Sequence, residues 1–513
     1  MIVSKSIYEA FKSSVEKYGN KLAVSCDDEE ITYNDLYKLV NKLVSGFLSA
    51  NVSKGNHVGV LLNNSAEYVA TFVALAKMGC CVVPLNNTLP ASAIKKSVDY
   101  ADVNYLIVSK KQTENQYLDG NDLANCTIID IDEIIDDNKL VDDNLGYELN
   151  SLDLDNEYIL ALTSGSTGNP KAIVLSQNNK YERAIAHIDA FGLNETDRIL
   201  VTTPLYHSLA ERLMFMSLIL GATVVMPNIN NGVSIYELLD KEDITFAISV
   251  PSQLSILLDD LKRNNIAKFD KIKVLVSSSS LLSNNLKNEL IDHIDARLFE
   301  IYGMSEASTL TIKELEKEYS SDNKVGYSFA GSQIKIIRGD NNTDYDTECK
   351  TGEIGEIVCK TRLMFKGYYK QKASTSHYYD FNGYFKTGDV GFLDDKGCLH
   401  FVGRKKEIII NDSVNVYPRD IDSEIEKMPE VAECAAFAYP DERLGEIIAL
   451  AIVPNEDYEI SIKNIKAYCK RNLADFQQPQ VFFVVDSLPK NTLGKLQRAK
   501  CYEYVKAHSA VAM

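Results

Sequence analysis

The chain has 513 residues, 45% of them hydrophobic and 25% charged, and a net charge of −18. That length exceeds one ordinary core, so two or more domains are expected. The acidic balance argues against a general nucleic-acid or anionic-membrane surface but leaves room for a local basic pocket.

The opening segment, MIVSKSIYEAFKSSVEKYGN, breaks its apolar residues with lysine and glutamate at helical spacing. It predicts a surface helix and not a signal peptide. From His57 to Gly303 the chain alternates strand-like and helical runs: HVGVLL, AEYVATFVALAKMG, CCVVPL, ASAIKKSVDYA and NYLIVS, then ILVTTPL, TFAISVP, KIKVLVSSSS and ARLFEIYG. Such alternation predicts an α/β fold of layered, largely parallel sheets with helices on their faces. Ligands in such folds sit at the carboxyl ends of strands. Residues 113–157, rich in Asn and Asp, are expected to be solvated connection. MFMSLILGATVVMPNINNG predicts a buried helix followed by a strand, with no transmembrane segment.

From about 325 to 402 the texture changes to short alternating strands such as QIKIIRG, EIGEIVCK and CLHFVG, a compact and mainly antiparallel β subdomain. After GRKKEIIIN a mixed segment follows, with DIDSEIEKM and SIKNIKAYCKRNL as helices and ECAAFAY, EIIALAIVP and VFFVVDSL as strands. It has the size of a small α+β domain. The ten cysteines show no C-x-x-C and no regular spacing. That pattern predicts a reduced, cytoplasmic setting with neither a disulfide framework nor a zinc site.

Residues 162–176 read LTSGSTGNPKAIVLS, a polar glycine-containing loop between two apolar runs. Glycines let backbone N–H groups point inward, and hydroxyls and a lysine add donors, which is equipment for holding phosphate. It is not the P-loop, because Lys171 follows Asn-Pro and is followed by neither Ser nor Thr. Taken alone, it reads as a mobile Ser/Gly surface loop.

Further on come YGMSEAS (302–308), GYFKTGDVG (383–391), GRKKEIII (403–410) and LPKNTLGKLQR (488–498). In this order and at these separations the segments resemble the adenylate-forming superfamily: acyl-CoA synthetases, adenylation domains of nonribosomal peptide synthesis, and firefly luciferase. The likeness covers nearly the whole chain. It implies an N-terminal domain, 1–404, holding nucleotide and acid, and a small mobile C-terminal domain, 405–513, hinged near Lys406. The implied activity is that of an AMP-forming ligase in carboxylic or fatty acid metabolism. A small carboxylic acid, ATP and Mg²⁺ give an acyl-adenylate and pyrophosphate, and a thiol then displaces AMP. The thiol is most often CoA; the alternative is the phosphopantetheine of an acyl carrier protein. A non-catalytic nucleotide or acyl-adenylate binder is the reading from another class, and a retained catalytic lysine speaks against it.

The resemblance also implies roles. Thr163, Ser164, Gly165, Ser166, Thr167, Gly168 and Lys171 would wrap the β- and γ-phosphates. Tyr302 and Gly303 would border the adenine, and Ser305 would stand beside the α-phosphate. Glu306 would hold Mg²⁺, a hard cation that takes oxygen ligands. Asp389 would accept from the ribose hydroxyls and Arg404 would contact the same region. Lys495 would be the catalytic lysine, drawing carboxylate and α-phosphate together; charge alone does not separate it from Lys490. His207, in PLYHSLAERL, would lie near the reacting carboxylate or else be a packed core histidine. Glu211 and Arg212 would line the site or form a surface pair.

Two places depart from the family pattern. Asp412-Ser413 stands where many members carry Gly-Gly beside the pantetheine channel, which weakens the case for free CoA. Ser277-Ser278-Ser279-Ser280 stands where many carry Ser-Gly-Gly-Ala at the acyl pocket. A substrate smaller or more polar than a long fatty acid is therefore expected.

Overall fold

The computed structural model describes residues 5–27, 29–111, 126–137, 153–163, 171–227, 234–317, 323–338, 347–371, 375–376, 378–379, 382–411, 414–441, 445–455, 458–491 and 494–508. Two large sheets lie in the N-terminal part. In the seven-stranded one, His57–Leu61 lies between Cys81–Pro84 and Tyr105–Val108, all parallel. Glu157–Thr163 adds in parallel to Cys81–Pro84, and Lys171–Ser176 pairs with it antiparallel, Thr163 opposite Lys171. Residues 164–170 of the glycine-containing loop, between these two strands, lie outside the described set.

The other sheet has thirteen strands. One half is mostly parallel and includes Phe246–Ser249, Val274–Ser277 and Arg297–Met304. The pairing then switches: Arg297–Met304 runs antiparallel to Ser308–Glu314, which pairs with Lys324–Ser328. From there the antiparallel strands Leu399–Arg404, Phe385–Leu393, Gly355–Lys360 and Gln333–Ile337 follow. The β segment expected over 325–402 is antiparallel, as its alternation predicts, and its strands continue the large sheet rather than closing on themselves. Tyr302 sits on the strand where pairing changes sense, a place where loops from both halves converge.

The first helix, Ile7–Tyr18, starts at a capping box between Ser6 and Glu9. It is less exposed than its charges suggest: Ile7, Tyr8, Ala10 and Phe11 are buried in the main core. Ala66–Met78 ends, as its glycine predicts, at a left-handed Gly79. The segment 214–232 is a buried helix end and a strand, Ser208–Leu220 then Thr223–Val225, and no described helix is long and apolar enough to cross a membrane. The stretch 113–157 departs from expectation. Thr127–Asp130 adds an edge strand to Tyr105–Val108, and Ile131–Asp136 forms a short helix capped by Asp130. Ile129 and Ile131 are buried there, enough apolar surface to fix a short element inside a polar run.

The C-terminal part carries its own cores. A three-stranded sheet, Val431–Asp441, Gly445–Pro454 and Val481–Val484, packs Pro418–Ile425 and Ile462–Asn472 on one face and Cys501–His508 on the other. All ten cysteines are unpaired.

Candidate active site

Four of the residues singled out from sequence meet at the junction of the two parts. Tyr302 donates its hydroxyl to Asp389 Oδ2 at 2.8 Å, and its ring centroid lies 5.8 Å from that of Phe401. Asp389 faces Arg404 in strand register, with Arg404 Nε 3.6 Å from its Oδ1. Gly388, at φ 73, supplies the left-handed turn that presents Asp389. Burial pushes the Asp389 carboxyl up, while Arg404, the Tyr302 hydroxyl and Lys495 pull it down.

Lys495 arrives from the other part of the chain. A tight turn holds it: Asn491 and Lys495 exchange hydrogen bonds at 2.9 Å, and Gly494 sits at φ 72. A Cβ on Gly494 would lie 2.9 Å from Ser252 Oγ, so this turn is docked on the start of the helix Pro251–Arg263. Burial, reinforced by Arg404, lowers the Lys495 ammonium to about 8. Lys490 is engaged elsewhere, 2.5 Å from Glu433. The two lysines thus differ in their surroundings.

Glu306 lies on the other side of Tyr302. Tyr368 donates to its Oε1 at 2.7 Å, which leaves Oε2 with no hydrogen-bond partner among the described residues. A carboxylate with one oxygen oriented and one open fits a hard divalent cation. The backbone beneath it is clamped by buried Arg183, which donates to the carbonyls of Ser305 at 3.0 Å, Glu306 at 2.9 Å and Leu363 at 2.9 Å. Gly303 permits the hairpin to close: a side chain there would strike the Ser308 carbonyl oxygen. Lys171, leaving the loop, donates to the Tyr378 hydroxyl at 3.1 Å and lies 5.4 Å from the ring centroids of Tyr368 and Tyr378. Lys171 and Glu306 thus share Tyr368. The hydroxyl and glycine residues Ser164 to Gly168 lie outside the described residues, as do the Asp412-Ser413 pair and the Thr163 side chain.

His207 caps the helix Ser208–Leu220, its ring 4.4 Å from that of Tyr206. Its Nε2 is buried without a hydrogen-bond partner, and burial lowers the imidazole to about 4, so it is neutral at pH 7. Glu211 is no surface residue. It is fully buried, 2.5 Å from buried Lys180. Arg212 points instead toward His187 Nε2 at 3.1 Å and Thr309 Oγ1 at 3.3 Å.

Sequence reading missed Arg183, Lys180 and Tyr368. The available signal was periodicity: Lys180, Arg183 and His187 recur at three- and four-residue spacing on a buried helix face.

The serine run at 277–280 also has a conformational mark. Ser277 closes its strand with a buried, unpartnered hydroxyl, and Ser279 sits at φ 77. A side chain in the left-handed region is strained. Ser279→Gly is expected to raise unfolding stability by about 0.5–1 kcal/mol, the relief of strain less the added unfolded-state entropy. A urea midpoint that falls would contradict the strain.

Residues 11–369 match the AMP-binding enzyme family model and residues 420–495 match that for the AMP-binding enzyme C-terminal domain. A 2-succinylbenzoate–CoA ligase from Bacillus licheniformis is 28% identical over 95% of this chain and 98% of its own length. An oxalate–CoA ligase from Arabidopsis thaliana is 27% identical over 96% and 98%. In fold, the o-succinylbenzoate CoA synthetase of Bacillus subtilis with its acyl-adenylate intermediate superposes with a TM-score of 0.83 at 24% identity, over 97% of this chain and 98% of that one. ATP-bound MatB from Rhodopseudomonas palustris superposes with 0.85 at 21%, over 98% and 99%. The chain belongs to the AMP-binding enzymes, the adenylate-forming family, and is an AMP-forming acid–thiol ligase of the acyl-CoA ligase type.

Proposed function

We propose that the Tyr302–Asp389–Arg404–Lys495 cluster binds the adenosine and α-phosphate of ATP, and that a small, polar carboxylic acid is activated there. The observation that carries this is the Tyr302–Asp389–Arg404 contact, with the Lys495 turn docked on the N-terminal part at Ser252 and its charge felt by Asp389 and Arg404. The acid's oxygen attacks the α-phosphorus, a P–O bond forms, and the bond to pyrophosphate breaks. Lys495 neutralises the anions that approach one another. Tyr302 presents its face to the adenine, and Asp389 accepts from the ribose. Ser305 lies beside the α-phosphate. Glu306 would hold Mg²⁺ through its open oxygen, with Tyr368 fixing the other; the ion supplies charge neutralisation at the phosphates. Thr163–Gly168 and Lys171 bind the β- and γ-phosphates. His207, neutral, hydrogen-bonds at the acid end and does not attract it by charge.

In the second half-reaction the thiolate attacks the acyl carbon and AMP departs. CoA is the acceptor supported by the names of the relatives, which are CoA ligases. Lys406 is the pivot between the N-terminal domain, 1–404, and the C-terminal domain, 405–513: Lys405 pairs with Glu356 at 2.9 Å, Glu407 pairs with Arg498 at 3.3 Å, and Lys406 between them is exposed. The ten unpaired cysteines fit a reducing cytoplasm.

Pyrophosphate release from ATP and Mg²⁺, measured over a panel of carboxylic acids with and without CoA, tests the reading. We expect acid-dependent release that turns over only with CoA. Adenylate that forms but stalls with CoA would assign the acceptor to a carrier protein. Absence of acid-dependent release would defeat the assignment.

A further inference from the structure

Arg212 is a half-buried cation with no carboxylate in salt-bridge contact among the described residues. Among the described residues its guanidinium hydrogen-bonds to His187 Nε2 and Thr309 Oγ1 alone, both through one nitrogen. The acid next to it in sequence, Glu211, attracts it through space but is hydrogen-bonded to Lys180 and not to Arg212. His187 offers no charge: burial and Arg212 hold its imidazole well below the usual range. The neighbouring guanidinium, Arg183, adds positive charge and is itself spent on three backbone carbonyls. Glu306, the remaining acid in this region, is bonded to Tyr368. A charge taken partly out of water with no counter-ion in contact is costly to the ligand-free protein. Such a residue persists where a ligand completes it.

Its position says which ligand. Thr309, which Arg212 touches, is the strand partner of Gly303, one residue beyond Tyr302. Arg212 therefore stands on the wall of the hairpin that carries Tyr302, Ser305 and Glu306, on the helix that His207 caps. We propose that Arg212 forms an anion subsite for the far end of the acyl substrate, so that the acid activated is a dicarboxylate. The free N–H groups of the guanidinium suit a bidentate carboxylate. The inference rests on the reading of this site as acid-activating.

The test compares acids that differ only in exchanging a terminal methyl for a carboxylate: succinate with butanoate, glutarate with pentanoate, adipate with hexanoate. Pyrophosphate release is followed for wild type, Arg212→Met and Arg212→Lys. Wild type is expected to favour the dicarboxylate of its best pair by about 100-fold in kcat/KM. Arg212→Met should collapse that ratio to near one, and Arg212→Lys should restore part of it. The thermal midpoint of ligand-free Arg212→Met should equal or exceed that of wild type, because an uncompensated charge is gone. A wild-type ratio at or below one, or an Arg212→Met ratio as large as the wild type's, overturns the inference while the released pyrophosphate still upholds the ligase reading. No release with any acid defeats that reading, and the inference with it.

Discussion

In a Lys495→Ala enzyme, acid-dependent pyrophosphate release is expected to fall about 100- to 1000-fold, the loss typical of removing one preorganised donor to developing charge. Nucleotide binding should change far less, because Tyr302, Asp389 and Arg404 remain and already contact one another. The same lysine sets a pH limit. It works as the ammonium, and burial beside Arg404 lowers it to about 8 in the free protein. The working form is present below that value and lost above it. Wild-type kcat/KM for adenylation should therefore decline as pH rises through about 8. Lys495→Arg, which stays charged, should push the decline to higher pH even if its rate is lower. A profile that is flat to pH 9.5, or a Lys495→Ala enzyme of normal rate, would remove this side chain from the chemistry.

The largest stability effect is expected at Lys180. Its ammonium is 2.5 Å from Glu211, and both side chains are essentially inaccessible, at 3% and 0% exposure. Burial lowers the Lys180 ammonium, and Glu211 opposes that shift. Lys180→Met strands a carboxylate in the core, which should cost about 3–5 kcal/mol in a denaturant titration. The double variant Lys180→Met with Glu211→Met removes both charges and should recover most of the loss. Equal losses in the single and double variants would mean that packing, and not charge, holds this position.

These two positions differ in how far the sequence discloses them. Lys495, Asp389, Arg404 and Tyr302 each lie in a short segment of unusual composition, so motif order finds them without coordinates. Their meeting depends on three strands and a C-terminal turn far apart in sequence, and only the fold supplies that. Lys180 and Arg183 have no such local sign. Their partners are a glutamate on another helix and three backbone carbonyls, and carbonyls leave no trace in residue identity. The same limit applies at the edge strand Thr127–Asp130: four residues are too few for a period to emerge from an Asn- and Asp-rich run. Lys490 and Lys495 look alike as charges, and Glu433 tells them apart. Asp422 is fully engaged: it accepts from Arg498 at 2.7 Å and from the Ala436 N–H at 2.6 Å.

The ion pairs on either side of Lys406 have a mechanical consequence. Both residues of Lys405–Glu356 precede Lys406 in the chain and both residues of Glu407–Arg498 follow it, so neither pair spans the proposed pivot. A swivel about the backbone of Lys406 would leave both intact and carry Arg498, Asp422 and the Lys495 turn along as one lever. The resistance to that swing would come from the seat of the turn on Ser252 and from the attraction between Lys495 and Asp389. On the proposed pivot, those are loads that the departure of one ligand and the arrival of another can tip.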